Sequence, residues 1–234
     1  MRLNKFISLC GAASRRQADE WIKEQRVSVN GEIVKDLGRQ VLESDKVQVD
    51  GNLITLPVKT TVVAFHKPVG CVCSAYDPQG RTTVYDYLPP GFKNLKYIGR
   101  LDLQSRGLLL FTNSGDLVHH LTRPEYKIYR HYLVWTDKPV SKANAEKLIQ
   151  GVSLEDGLTG FAEAVFFEND CIELVLSEGK NREIRKMMAA IGYEIEDLKR
   201  ISYADVDLGT LAEGDCRELS GEEVEKLQSL CGMK

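Results

Sequence analysis

Four stretches of the chain concentrate side chains that can do chemistry. Gly99-Arg100-Leu101-Asp102 puts a base and an acid in a glycine-bounded loop ahead of the apolar run Gly107-Leu108-Leu109-Leu110-Phe111-Thr112. A carboxylate there can be held rigidly, partly desolvated and open on one side to a cleft. A surface Arg–Asp pair satisfies the same spacing. From Glu178 to Met187, four cations (Lys180, Arg182, Arg185 and Lys186) open an expected helix, with Arg182 and Arg185 three apart on one face. Helix N–H groups beside cations suit phosphate, although a charged run is more often a solvated face. Tyr126, Tyr129, Arg130, His131 and Tyr132 interleave aromatics with basic groups, as base stacking with backbone contacts requires. In a strand, Arg130 and Tyr132 share a face, which a half-buried sheet would also produce. Arg15, Arg16, Lys23 and Arg26 line a helix and turn near the N-terminus, in what is otherwise a small structural subdomain.

These residues need elements to hold them. Leu3 to Leu9 forms a first short helix. Ser14 caps a second, from Arg15 to about Glu24, with Gln17 as its capping-box partner. Ala18, Trp21 and Ile22 give that helix one apolar stripe. Val27, Val29, Ile33 and Val34 flank the hairpin turn Asn30-Gly31, and Val47 and Val49 lead to a second turn at Asp50-Gly51. Residues 51–60, with Pro57, read as a linker. From Thr61 the elements lengthen. Strands are expected at Val62–Phe65, Gly107–Thr112, Ile128–Trp135, Glu163–Phe167 and Ile172–Leu176, the last two around Asn169-Asp170. Helices are expected at Asp116–Leu121, Ala143–Ile149 and Asn181–Ile191, and after Ser220, whose box partner is Glu223. The mixed order predicts an α+β fold with a largely antiparallel sheet. A small helix-helix-sheet domain over 1–50 would precede a larger domain over 61–234.

A net charge of -3 and a pI of about 5.9 argue against nucleic-acid binding through bulk charge. The charge is uneven, however: residues 1–40 hold eight Lys or Arg against five Asp or Glu, while Glu213 to Glu225 is acidic. One part of the chain is therefore suited to phosphate. The six cysteines form no CxxC pair and none of the four histidines lies at ligand spacing from them, so reduced thiols and no metal site are expected. No apolar run approaches the ~18 residues that span a bilayer, and Met1-Arg2-Leu3-Asn4-Lys5 lacks the pattern of a signal peptide. A cytoplasmic location with no membrane partner is expected.

Taken in order, these stretches resemble the RsuA-type family of rRNA pseudouridine synthases over nearly the whole chain. Arg2-Leu3-Asn4-Lys5-Phe6, Ser14-Arg15-Arg16-Gln17-Ala18 and Val27-Ser28-Val29-Asn30-Gly31 look like the RNA-binding domain shared with a small-subunit ribosomal protein. Phe65-His66-Lys67-Pro68-Val69-Gly70 looks like the opening strand of the catalytic domain. Gly99-Arg100-Leu101-Asp102 matches the catalytic loop, which implies that Asp102 is the essential residue. Tyr132 stands where the family keeps a Tyr against the target base. Arg185, ending the motif that starts at Glu178, stands where it pairs a cation with the catalytic Asp. The chain departs from the family at Gln104 and Ser105 (usually an acid and a Thr), at Arg130 (usually Lys), and at Gln25 and Ala204 (usually Gly).

The resemblance implies a cofactor-free isomerisation of uridine, in which the N1–C1′ bond breaks, the base turns and C5–C1′ forms. The missing GxGxxG and P-loop patterns agree with that. Asp102, Tyr132 and Arg185 would be catalytic. Arg100, Lys180, Asn181 and Arg182 would hold RNA in the catalytic domain, and Arg2, Lys5, Arg15, Arg16, Lys23 and Arg26 in the N-terminal one. The base must leave its stack, with Arg100 on the backbone or in the vacated space and Tyr132 on the extruded base. Attack of Asp102 on C1′ and abstraction of the 2′ proton both remain open. The expected partner is ribosomal RNA, with assembly intermediates and a monomeric chain. Large-subunit rRNA is slightly favoured because Gly179-Lys180-Asn181-Arg182 looks like those branches, with small-subunit rRNA and tRNA as alternatives. Two readings from other classes stand beside this one. A non-catalytic assembly factor could carry the same N-terminal module, and a nucleosidase would need a second carboxylate, for which Glu178 is the candidate.

Overall fold

The structure is a computed structural model that describes every residue except Glu155, Asp156, Leu158, Glu168, Asn169 and Lys234. The expected turn at Asn169 and the last residue of the 61–234 domain therefore lie outside the described residues. The chain forms two compact units. The first is Met1–Thr61 with Asn94–Lys96 and Asn113–Gly115; the second is Val62–Lys93, Tyr97–Thr112 and the chain from Asp116 on.

In the first unit α1 (Leu3–Leu9) and α2 (Arg15–Lys23) pack on β1 (Val27–Val29), β2 (Glu32–Ile33), β3 (Val47–Val49) and β4 (Asn52–Ile54), in sheet order β2-β1-β3-β4. Alternation decides the faces: Val27, Val29 and Val47 turn inward onto Leu3, Phe6, Ile7 and Ile22, while Ser28 and Gln48 turn away. Both hairpin turns hold two residues at positive φ, Asn30 and Gly31 at 52° and 88°, Asp50 and Gly51 at 50° and 79°, as type I′ turns demand. Ser14 caps α2 by accepting from the Gln17 N–H at 3.2 Å. The segment expected as a linker contains β4, which pairs with β3 from Val49–Asn52 to Val47–Ile54. Leu53 is 58% exposed, so no buried alternation announces this strand.

Two of the departures from the family have a backbone reason for the usual glycine. Gln25 and Ala204 sit at φ 60° and 53°. A side chain in the left-handed region costs roughly 1–2 kcal/mol, against about 0.5–1 kcal/mol for the extra freedom glycine loses on folding. The first quantity is larger, and Gln25 is exposed. Gln25→Gly is therefore expected to stabilise the protein by about 0.5–1 kcal/mol, read as a higher urea midpoint at unchanged slope.

The second unit continues with β5 (Val62–Lys67), β6 (Lys96–Ile98, shared with the first unit at Lys96), β7 (Arg106–Thr112), α3 (Gly115–Thr122), β8 (Arg130–Thr136), α4 (Lys142–Gln150), β9 (Val152–Ser153), β10 (Thr159–Gly160), β11 (Ala164–Phe167), β12 (Ile172–Leu176), α5 (Glu183–Ala190), β13 (Ile195–Tyr203), β14 (Val206–Asp207), β15 (Cys216–Glu218) and α6 (Gly221–Leu230). Its main sheet runs β11-β12-β8-β13-β7-β5-β15, with β14 on β13 and β6 on β7. The β13–β7 pair is parallel, while β5–β7, β8–β12, β8–β13 and β11–β12 are antiparallel. The fold is α+β, as expected. β5 and β7 are buried on both faces, which explains their unbroken apolar runs. Leu108 and Leu110 join one core under α3 and α6. Phe111 meets Phe65, Tyr85 and Tyr97 in an aromatic cluster. A separate core gathers Tyr132, Val134, Leu148, Leu174 and Met187 under α4 and α5.

β13 is the longest strand that sequence reading misses. Glu196, Asp197, Lys199 and Arg200 hide its pattern, and tertiary partners absorb two of them: Asp197 receives Arg106 at 2.6 Å, while Arg200 is 1% exposed. β13 meets β7 at Gly107 opposite Arg200. A Cβ at Gly107 would lie 2.2 Å from the Arg200 carbonyl oxygen and 2.6 Å from its nitrogen, at φ 110°. Gly107→Ala is expected to cost about 3 kcal/mol or more and to lower the thermal midpoint. An unchanged midpoint would mean that the two strands do not join there.

Candidate active site

Four segments converge on a cleft of about 300 Å³: the loop before β7, strand β8, the start of α5 and the turn before it. The loop is built for rigidity. Gly99 turns at φ 67° with Tyr203 3.5 Å from where its Cβ would be. Leu101 is buried in the core and its N–H donates to Cys73 Sγ at 3.4 Å. The Leu103 carbonyl accepts from the Gly70 N–H at 2.9 Å, and the Asp102 carbonyl from the Ser105 N–H at 3.1 Å. Lys67, fully buried at the end of β5, donates to the carbonyls of Ser105 at 2.8 Å and Pro68 at 2.9 Å. Burial lowers its pKa; the charge on Asp102 is among the effects that oppose this. Apart from the buried Leu101 side chain, these restraints act on the backbone, which leaves the half-buried Asp102 carboxylate in the cleft.

Arg185 reaches the same loop from α5. Its Nη2 donates to the Gln104 carbonyl at 2.9 Å and approaches Ser105 Oγ at 3.5 Å. Among the described residues no ion pair within 4.0 Å joins it to Asp102. Burial lowers the pKa of this guanidinium, and the Asp102 charge opposes that shift, so the two groups interact through space while the hydrogen bonds go to the loop. The departures at 104 and 105 are absorbed here: Gln104 contributes its carbonyl, which any residue supplies, and Ser105 is buried.

Tyr132 lies on β8, 9% exposed, with a face on the cleft. Tyr126 and Tyr129 are 40% and 49% exposed and precede the strand, so the aromatic-basic stretch does not act as one surface. Arg130 is buried, donating to the Ser177 and Leu121 carbonyls and to the Tyr203 hydroxyl. Asn181 and Arg182 line the cleft but do not belong to the helix, which begins at Glu183. Arg182 is its N-cap at φ 50°, so the shared helical face expected for Arg182 and Arg185 does not form. The reason is Glu183: its buried carboxylate accepts the Lys180 N–H at 2.9 Å, closing a turn ahead of the helix. Lys180 is held by Glu178 at 2.6 Å and donates to the Thr159 carbonyl. Glu178 is thereby engaged as a partner for Lys180. Arg100 and Arg182 are the exposed cations on the rim.

In the first unit Arg26 forks onto Asp50 at 2.9 and 2.6 Å and stacks on Trp21, and Lys23 pairs with Glu20 at 2.7 Å. Arg2, Arg15 and Arg16 are exposed and enter none of the ion pairs among the described residues; Lys5 is half-buried. Lys67 stands in the motif that opens the larger domain, but the motif does not show its role, and Arg200 carries no signal, since a single cation in a strand marks nothing until its burial is known.

A carboxylate on a rigid loop, beside a partly buried aromatic and a cation-rimmed opening, suits chemistry on one residue of a polyanion. Residues 61–190 match the family model described as RNA pseudouridylate synthase and residues 1–47 that of the S4 domain, and the chain belongs to the RNA pseudouridylate synthase family. Members isomerise uridine to pseudouridine. The chain is 39% identical to the ribosomal large subunit pseudouridine synthase B of Bacillus subtilis, over 98% of this chain and 96% of that one. It is 34% identical to an uncharacterised RNA pseudouridine synthase of Aquifex aeolicus, over 100% and 96%. A crystal structure of a pseudouridylate synthase shares its fold at a TM-score of 0.71 and 32% identity, covering 97% of this chain and 99% of that one.

Proposed function

We propose that this chain converts a specific uridine of large-subunit ribosomal RNA into pseudouridine, with Asp102 as the catalytic carboxylate, Tyr132 stacked on the extruded base and Arg185 fixing the loop that carries Asp102. The observation that supports it most is the loop itself: its backbone is tied to Lys67, Gly70 and Arg185 while its one carboxylate stays in the cleft. A group so held keeps its geometry as the substrate turns. The choice of large-subunit RNA is supported by the relatives carrying that name. The nucleosidase reading loses its second carboxylate, because Glu178 is engaged with Lys180. A monomer acting in the cytoplasm on ribosomal assembly intermediates is part of the same proposal. The test is a pseudouridine map of both rRNAs and tRNA from cells with and without the gene. Loss of a large-subunit site, restored by the wild-type chain and not by Asp102→Ala, supports the proposal; a complete map without the gene rejects it.

The N-terminal unit, taken as residues 1–50 with β4 completing its sheet, would add affinity through phosphate contacts from Arg2, Arg15 and Arg16. Every phosphate that is no longer neutralised should lower the slope of log affinity against log salt by about 0.7–0.9. Replacing the three arginines with alanine is therefore expected to flatten that slope. A slope identical to wild type would take the RNA away from this surface.

A further inference from the structure

On the Arg100 side the cleft meets a smaller cavity of about 90 Å³ whose chemistry the isomerisation does not use. Its floor is Arg130, Arg200 and Tyr203; Gly99, Thr122 and Gly179 border both spaces, as do Arg100 and Tyr132. Arg200 is paired across β13 with Tyr132 on one side and Gly107 on the other. It is 1% exposed, its Nε donates to the Leu108 carbonyl at 2.7 Å, and its Nη2 is buried without a partner. Arg130 is 6% exposed. The two guanidinium groups lie 4.8 and 4.9 Å from the centre of the Tyr203 ring.

Neither arginine has a carboxylate partner among the described residues. Arg130 and Arg200 are taken out of water with no carboxylate beside them, which is unfavourable unless an anion completes the site. A volume of 90 Å³ is about that of three water molecules, room for one small group and not for a nucleoside. A phosphate is the anion that every RNA nucleotide carries, and guanidinium forks match its oxygens. A uracil carbonyl, being neutral, would leave the buried charges unbalanced.

We propose that this cavity is a subsite for an RNA backbone phosphate next to the bound uridine, with Arg200 Nη2 donating to a non-bridging oxygen and Arg100 at the mouth. The proposal rests on the Asp102 cleft being the uridine site. It makes Arg200 a binding residue that sets the register of the strand relative to Asp102.

The test is phosphate-ethylation interference on a short transcript spanning the modified uridine, with wild type, Arg200→Gln and Arg200→Lys compared by circular dichroism beforehand. For wild type, ethylation of one phosphate adjacent to that uridine should block binding. For Arg200→Gln that interference should vanish, with affinity about tenfold weaker and the salt slope lower by about 0.7–0.9. Arg200→Lys keeps the buried cation and should retain part of both effects, and it carries the comparison if the glutamine variant does not fold. An interference pattern unchanged in a folded variant overturns the proposal. So does a lower saturating rate at unchanged pattern and slope, which would assign Arg200 to the base. Because interference is scored on binding, a transcript in which wild type forms no pseudouridine counts against the functional reading alone.

Discussion

Asp102→Asn is expected to bind RNA as tightly as wild type, or slightly tighter, and to turn over roughly 10⁴-fold more slowly or not at all. The substitution keeps the side chain's shape. The contacts that shape the loop, from Lys67, Gly70, Arg185 and Ser105, run through backbone atoms and buried neighbours, so they survive it. What disappears is one negative charge in a cleft rimmed by Arg100 and Arg182 that must admit phosphates; its removal lowers repulsion, hence the sign on binding. Single-turnover conversion and a filter-binding titration on the same transcript separate the two effects. Wild-type turnover by the variant would sink the catalytic assignment. Deuterium at C2′ then distinguishes the two roles left open for the carboxylate. Abstraction of the 2′ proton breaks that bond and slows the step, whereas attack on C1′ leaves it intact.

The elements that could be read from the sequence were those whose determinants are local. Ser14 and Ser220 cap their helices, the second with the full reciprocal box through Glu223, and Asn30-Gly31 and Asp50-Gly51 make their turns at positive φ. β13 could not be read, because charged residues along it are neutralised or enclosed by neighbours on β7, a parallel partner some ninety residues away in the chain. α5 starts at Glu183 and not at the expected Asn181 for a related reason: Glu183 looks like a surface acid until its burial and its bond to the Lys180 N–H are seen. The candidate site divides the same way. Asp102, Tyr132 and Arg185 stood in motifs and meet at one cleft. The roles of the groups beneath them, Lys67 and Arg200, have no local signature even though Lys67 stands in a motif, since what sets both apart is burial without a carboxylate ion pair.

Lys67 carries the second large effect. Lys67→Met should lower kcat by roughly 10²-fold, the scale on which a displacement of about 1 Å in a positioned group acts, while leaving KM for RNA close to wild type. The ammonium's two hydrogen bonds hold Ser105 and Pro68, and so the end of the Asp102 loop; methionine fills the same space without them. Stability should move far less than rate. Losing the bonds leaves the Ser105 carbonyl without its donor, at about 1–3 kcal/mol. Removing a buried cation returns a desolvation cost of several kcal/mol, so the variant should be as stable as wild type or more so at neutral pH. The pH dependence fixes the sign independently. Burial holds the folded-state pKa of Lys67 below its ordinary 10.5. Between that depressed value and 10.5 the unfolded chain binds more protons, so this group makes stability rise with pH across that window. Lys67→Met should remove that rise from the difference between the two stability curves. A variant that is strongly destabilised and has the wild-type pH slope would show that Lys67 holds the fold rather than the loop.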